Sequence, residues 1–535
     1  MKKTILLMVL SVFVARYTAE AQTKVFKEVG EGMSSQLKII KQDNALVGYL
    51  MFTRLEKANV DSFNYRITIM DENLNNIGKV EFKDIGLRLE DVSFDQDVLC
   101  LGYLKSNFLG EEFSSRSNYR KALSAAKNFV MLQFISLDGK IIRSNSIKAS
   151  INVDNGRNQA FGKTYAGGGL KHSISVKNIP QKGFACFYGD DNNNNLIAFN
   201  PKGQQLWKKK VNSSASSFYM LTSGSDIYML NKSNHSLGTV AVYGGYALVE
   251  NEGNYEITGY NCNDTTAETH YTLKDDKGNQ LKVLKFDNDP VTGKPYLAGY
   301  IIDPKKEGEY ATGRQLSKGP YLGIFTINLN GKLQNAQKLF SYWSDGSTQG
   351  ISNRGLFTAA DSYAMFTEAF RDFNGNTYFT GPQVIRRTRW GCIASSVITA
   401  PLLIPPIWIL SAGGTSKCKI TDAMLLKQNS KGIVEVDNSI PTDHGSYHKA
   451  MVAVTSYNGK SFYTVTNSDS KTNYLIVDDT ENTYVYNVNK KTVVRTIAHK
   501  DGNVKTYVFP AKEGHIMVSE YNKKERSTRV SIETL

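Results

Sequence analysis

The chain has 535 residues, of which 41% are hydrophobic, with Tyr 29 and Phe 25 against Pro 12, and a formal charge of +14. That length and apolar content exclude a disordered chain, and Cys 5 in so long a sequence excludes a disulfide scaffold. The basic excess is scattered, without the Lys/Arg-dense tract of a nucleic-acid binder, so nucleic acid is excluded as a partner; acidic glycans and lipid headgroups suit it better.

The chain opens Met-Lys-Lys, runs apolar from Ile5 to Val14 and reaches Ala19-Glu20-Ala21, the order of a secretory signal peptide, with cleavage expected before Gln22. The apolar run is short for a membrane span, and no cysteine near the cleavage site offers a lipid anchor, the first being Cys100. Residues 22–535 are therefore expected to be exported as one domain. Cys100 and Cys186 lie within apolar runs and read as small core residues on strands.

Beyond the leader, short apolar or alternating runs rich in Val, Ile, Tyr, Phe and Thr alternate with turns, which is strand composition. A hairpin recurs behind an apolar strand, with turns at Gly78, Asp138-Gly139-Lys140, Pro201-Lys202-Gly203, Lys277-Gly278-Asn279, Asn330-Gly331-Lys332, Ser430-Lys431-Gly432 and Asn489-Lys490-Lys491. Gly and Asn dominate such turns because they accept positive φ. Each hairpin follows another apolar strand, and several of these carry a Gly-Tyr step. They start at Leu46, Leu99, Gly183, Ile227, Leu297, Tyr363, Phe462 and His515.

Near-continuous apolar strands are buried on both faces, as the inner strands of stacked blades are. The pattern predicts an all-β fold, a β-propeller of seven or eight blades, with two β-sandwich or barrel domains as the alternative. The last unit lacks a closing hairpin, while Thr23 to Val29 is a strand without a sheet. We expect that strand to complete the last blade and close the ring.

The longest interval between turns holds an uncharged stretch from Trp390 to Ser416. Pro401, Pro405 and Pro406 would break a membrane-spanning helix there. The stretch reads as a buried cap, or else as a prong through which Trp390, Leu402, Leu403, Ile404, Ile407 and Trp408 contact ligand, lipid or a second protein, including another copy of the chain. Cys392 and Cys418 bracket it, and a bridge between them is one option.

Two Asp/Asn-rich loops, with Asp190 and Asp191 in one and Asp372 and Asn374 in the other, offer oxygen ligands that would suit calcium, or else are plain hairpin turns. No cofactor is otherwise predicted. Glu368, in Phe-Thr-Glu-Ala-Phe, is an acid inside an apolar strand, where burial would raise its pKa and fit it for catalysis. No nucleophile elbow, metalloprotease helix or phosphate loop accompanies it.

The Lys-Lys leader ending Ala-Glu-Ala-Gln, the Tyr/Asn/Lys-rich repeats and the Pro-Leu-Leu-Ile-Pro-Pro insertion resemble uncharacterised exported proteins of Bacteroidetes. The resemblance covers the whole chain and implies a periplasmic or outer-surface location, but it supplies no activity and no functional residue. The sequence thus points to a non-catalytic binding or scaffold protein of the envelope, contacting protein, glycan or lipid. A carbohydrate-active propeller, binding or hydrolysing glycans, is the alternative.

Overall fold

The computed structural model describes residues 22–27, 34–42, 45–111, 113–151, 174–190, 193–211, 217–232, 237–242, 245–250, 255–264, 268–306, 321–329, 337–345, 348–358, 361–388, 416–442, 448–449 and 460–535. Blade 1 runs through Ser34–Gln42, Ala45–Asn59, Ser62–Asp71 and Asn76–Asp84. Blade 2 comprises Leu87–Asp95, Val98–Ser106, Asn128–Ser136 and Ile141–Lys148. Blade 3 is Ile174–Ile179, Gly183–Gly189, Asn194–Phe199 and Gln205–Val211.

Blade 4 uses Ser217–Ser223, Asp226–Lys232, Tyr255–Asn261 and Glu268–Thr272, with an extra hairpin, Leu237–Val242 and Gly245–Glu250, between its second and third strands. Blade 5 is Leu281–Asn288, Pro295–Ile302, Tyr321–Asn328 and Gln337–Tyr342. In blade 6 the first strand is split into Ser362–Ala364 and Glu368–Arg371, followed by Thr377–Thr388, Ser416–Gln428 and Val434–Ile440. Blade 7 is Ser461–Asn467, Thr472–Asp478, Asn482–Asn487 and Thr492–Ala498. Blade 8 takes Val504–Pro510, His515–Asn522 and Ser527–Thr534, and its outermost strand is Gln22–Lys27 from the other end of the chain.

That N-terminal strand pairs antiparallel with the last one, from Gln22 opposite Ile532 to Lys27 opposite Ser527. The ring is therefore closed as expected, and the alternative of two sandwich or barrel domains is set aside. Eight apolar clusters fill the eight seams between neighbouring blades, the last joining Met517, Val530 and Ile532 of blade 8 to Tyr49 and Met70 of blade 1.

The seams explain the unbroken apolar runs of second strands such as Val98–Ser106 and Gly183–Gly189. Side chains alternate between the faces of a strand, so Leu99, Leu101 and Tyr103 enter the seam with blade 1 while Val98, Cys100 and Leu104 enter the seam with blade 3. Cys100 and Cys186 meet in that second seam with sulfurs 4.0 Å apart, both buried and unbridged. Fourth strands face solvent, as the exposed Ile141 and Ile142 show.

Details of the repeat differ from the expectation. Gly139, Gly203, Gly278 and Gly432 hold positive φ in turns as predicted, but Gly78 lies within a strand, and its blade reverses at Asp71–Asn75 with Leu74 at φ 64. The Lys277-Gly278 turn links blade 4 to blade 5 rather than two strands of one blade. Tyr363 and Phe462 belong to first strands, not second ones. Turn chemistry is the same wherever a chain reverses, so it does not number the strands on either side. The Asn330-Gly331-Lys332 turn lies outside the described residues.

The helix Arg116–Ser124 is a further departure, inserted between the second and third strands of blade 2. Ser115 caps it by accepting from the Asn118 N–H, and Tyr119, Ala122 and Leu123 cover the end of the seam between blades 2 and 3.

Candidate functional site: the axial channel

First strands of successive blades pack against one another from Ser34–Gln42 round to Val504–Pro510, so their inner edges surround the axis. Three of these strands are paired irregularly to their neighbours, each beside a charged residue. The register shifts between Ile40 and Lys41 in blade 1, between Leu89 and Asp91 in blade 2 and between Val283 and Lys285 in blade 5. Such bulges re-aim a side chain out of the regular alternation.

The Gly-Tyr step seen in the sequence sits opposite these irregularities. Gly48 faces Ile40, Gly102 faces Asp91 and Gly299 faces Val283. Gly102 has a direct steric reason, because a Cβ there would stand 2.8 Å from a methyl of Ile174 and 3.1 Å from one of Val176. Its absence lets the first strand of blade 3 come close enough for Asp91 to bind it. Asp91 Oδ2 accepts from Val176 N at 2.8 Å and Ser175 Oγ at 3.2 Å, and Oδ1 accepts from Val92 N at 3.0 Å.

On the other side of the axis, Lys285 Nζ lies 3.1 Å from Glu368 Oε1 in blade 6 and 3.5 Å from Asp287 Oδ2 in its own strand. Burial works against the charge on Lys285, yet Glu368 and Asp287 outweigh it and hold its pKa above the ordinary lysine value. For Glu368, burial wins: its pKa is raised although Lys285 and the Ala369 N–H, 3.1 Å from Oε1, pull it down. The raised pKa agrees with burial in an apolar strand, and Lys285 beside the carboxylate is a cation that sequence reasoning missed.

Lys41, exposed to the channel, is hemmed in by protein, and burial lowers its pKa. Asp287 and Asp91 oppose that lowering while Lys177 of blade 3 and Lys285 of blade 5 add to it. Lys41, Asp91, Lys177, Lys285, Asp287 and Glu368 all stand on first strands, in five blades, three of one sign and three of the other.

The other predicted residues fall elsewhere. Asp372 closes the hairpin between the first and second strands of blade 6, where Oδ1 accepts from Asn374 N and Asn376 N, and Oδ2 from Asn376 Nδ2. Asp71 and Asp275 close their own turns with the same bonds to Asn75 and Asn279, so the pattern is the chain's recurrent turn. Asp190 likewise accepts from Asn193 N at 2.6 Å. Among the described residues no cluster of His, Cys, Asp and Glu has the arrangement of a metal site.

Asp191, Cys392 and the insertion residues Trp390, Leu402, Leu403, Ile404, Ile407 and Trp408 lie outside the described residues. A separate cleft of about 1120 Å³ opens between the N-terminal strand and blade 1, lined by Phe26, Leu37, Met51 and Phe82 together with Arg66 and Glu81.

A family model described as "Family of unknown function (DUF6770)" matches residues 1–108. No curated protein matches the sequence. Among solved structures, the β-propeller domain of Myceliophteria thermophila Cps50 (Swd1) is 8% identical with a TM-score of 0.34, the match covering 95% of this chain and 99% of that one. The Dos1 propeller is 7% identical with a TM-score of 0.40, covering 96% and 95%. The WD40 domain of SCAP from fission yeast is 9% identical with a TM-score of 0.37, covering 96% and 98%. These three are similar to the chain in fold alone.

Proposed function

We propose that this chain is an exported binding or scaffold propeller of the cell envelope, non-catalytic, whose axial channel is the part that meets ligand. One observation carries the reading: the first strands that surround the axis carry charged residues in five blades, three of them beside irregular strand pairing. The leader-like N-terminus supports export to the periplasm or outer surface, and the scattered positive charge is compatible with acidic glycans or lipid headgroups. The uncharged stretch from Trp390 to Ser416 is the second contact region under this reading, for lipid, a partner protein or another copy.

A carbohydrate-active propeller is the second reading. It is favoured by Glu368, an acid with a raised pKa, and Asp287, a second carboxylate against the same lysine, since glycoside hydrolysis uses two carboxylates. A glycan array run beside a panel of chromogenic glycosides separates the two. Binding without turnover is expected, and an affinity unchanged in Glu368→Gln would take that residue off the contact set. Turnover that disappears in Glu368→Gln would replace the binding reading with the enzymatic one.

A further inference from the structure

We propose that the cleft between blades 8 and 1 binds a short neutral oligosaccharide, stacked on Tyr507 and Phe509. The site uses none of the axial charges, so it goes beyond the reading of the channel. Its basis is an incomplete seam. Neighbouring first strands approach closely at seven of the eight seams, but Val504–Pro510 and Ser34–Gln42 do not. The buried contacts of this seam gather at one end, where Met517 and Ile532 meet Tyr49 and Met70. Towards the other end, at Ser35, Thr53 and Thr528, the two sheets part around the cleft of about 1120 Å³.

The gap leaves two aromatic rings uncovered. Val508 packs into the seam with blade 7, so strand alternation turns its neighbours Tyr507 and Phe509 towards blade 1. Their cross-strand partners are Ser519, which lines the cleft, and Met517, which lies in the seam. Without a first strand of blade 1 close against them, these residues stand 51% and 41% exposed. In blade 7 the first-strand residue Val465, which faces blade 8, is 4% exposed.

The lining fits a sugar better than an ion or a hydrocarbon. It joins apolar Phe26, Leu37, Met51 and Val530 to the hydroxyls of Ser35, Thr53, Thr68, Ser519 and Thr528. Each hydroxyl can donate and accept, which suits a ligand whose own polar groups are hydroxyls and is wasted on an acyl chain. The charges cancel: Glu56 and Glu81 stand against Arg66 and Lys83, and Arg66 already binds Glu81 at 2.8 Å. A pyranose offers a C–H face to aromatic rings and hydroxyls around its rim, matching both halves of this lining. Sites for drug-sized ligands span about 300–1,000 Å³, so the cleft has room for more than one sugar unit.

The test uses the full mature chain in calorimetric titrations with tetrasaccharides of glucose, xylose and mannose. Trigalacturonate serves as the acidic counterpart and laurate as the hydrocarbon one. At least one neutral tetrasaccharide should bind, and more tightly than either counterpart. Tyr507→Thr and Phe509→Thr remove a ring while keeping a β-branched side chain on the strand, and each should weaken binding about tenfold. Tyr507→Phe keeps the ring and should retain most of the affinity. Ser519→Trp, which fills the cleft, should abolish binding and covers the case in which a Thr variant does not fold. Val494→Ala, at an exposed position on blade 7, should change nothing.

Silence on all three neutral tetrasaccharides overturns the proposal, as does tighter binding of trigalacturonate or laurate. So does neutral binding that survives Tyr507→Thr, Phe509→Thr and Ser519→Trp in folded protein; if Glu368→Gln then abolishes it, the axial reading stands alone. Binding lost in the seam variants and kept in Glu368→Gln supports the seam and denies that ligand to the axis.

Discussion

Lys460 and Asp479 form the most completely buried ion pair described, each side chain 2% exposed, with Nζ 3.1 Å from Oδ2. Lys460 precedes the first strand of blade 7 and Asp479 follows the second, while the same ammonium donates to Thr421 O at 2.9 Å and Thr442 Oγ1 at 2.6 Å in blade 6. The group therefore ties the first hairpin of one blade to the outer half of its neighbour. Lys460→Met leaves a carboxylate buried without its cation, and Asp479→Leu leaves the cation without its carboxylate. Removing one member of such a pair costs about 3–5 kcal/mol.

Replacing both, as Lys460→Met with Asp479→Leu, removes both desolvation penalties at once and should recover most of that loss. Urea unfolding at pH 7, followed by far- and near-ultraviolet circular dichroism, gives the double-mutant cycle directly. Single losses below about 1 kcal/mol, the range of exposed pairs, would refute the reasoning. So would a double variant as unstable as the sum of the singles.

Two further predictions concern the seams. Asp289 in blade 5 binds Arg371 of blade 6 at 2.6 Å, the side chains 7% and 6% exposed. Burial pushes the Asp289 carboxyl up, but Arg371 and the N–H groups of Thr292 and Val291 outweigh it and hold its pKa below the ordinary 3.8. A lowered folded pKa gives stability that is complete above the unfolded value and lost as pH falls through the folded one. Asp289→Asn should therefore cost about 3 kcal/mol at pH 7, with the gap in melting temperature closing in acid; a gap that persists there contradicts the assignment. The second prediction removes residues 22–27, which bares the edge of Ser527–Thr534 and should drive association visible by light scattering, whereas a monodisperse variant with unchanged melting would deny the strand its closing role.

What the sequence disclosed about the fold came above all from strands buried on both faces, where the apolar run is long. Phe184 to Tyr188 is one such segment. First strands were harder to place, because the extra residues Glu90 and Leu284 break the two-residue alternation on which strand reading depends. Helix Arg116–Ser124 did leave a trace, with Ser115 at the cap and Tyr119, Ala122, Leu123 and Ala126 at helical spacing. So short a stretch of weak apolar stripe was too little to stand out against an otherwise all-β pattern.

The channel shows why function was less legible than fold. Glu368 was conspicuous because a carboxylate is unusual among Phe366, Ala369 and Phe370, but Lys41, Asp91, Lys177, Lys285 and Asp287 look like ordinary solvated charges at their own positions. They come to the inner edge of the ring only when the blades assemble around one axis, and no local pattern records that placement. The nearest thing to a local signal is the Gly-Tyr step, since Gly48, Gly102 and Gly299 each sit at a register shift next to Lys41, Asp91 or Lys285. The step that looked like a mark of the repeat is thus also a mark of the axis. A reading that took the residue across from each such glycine would have reached Asp91 directly, with Lys41 and Lys285 one and two residues beyond the partners of Gly48 and Gly299.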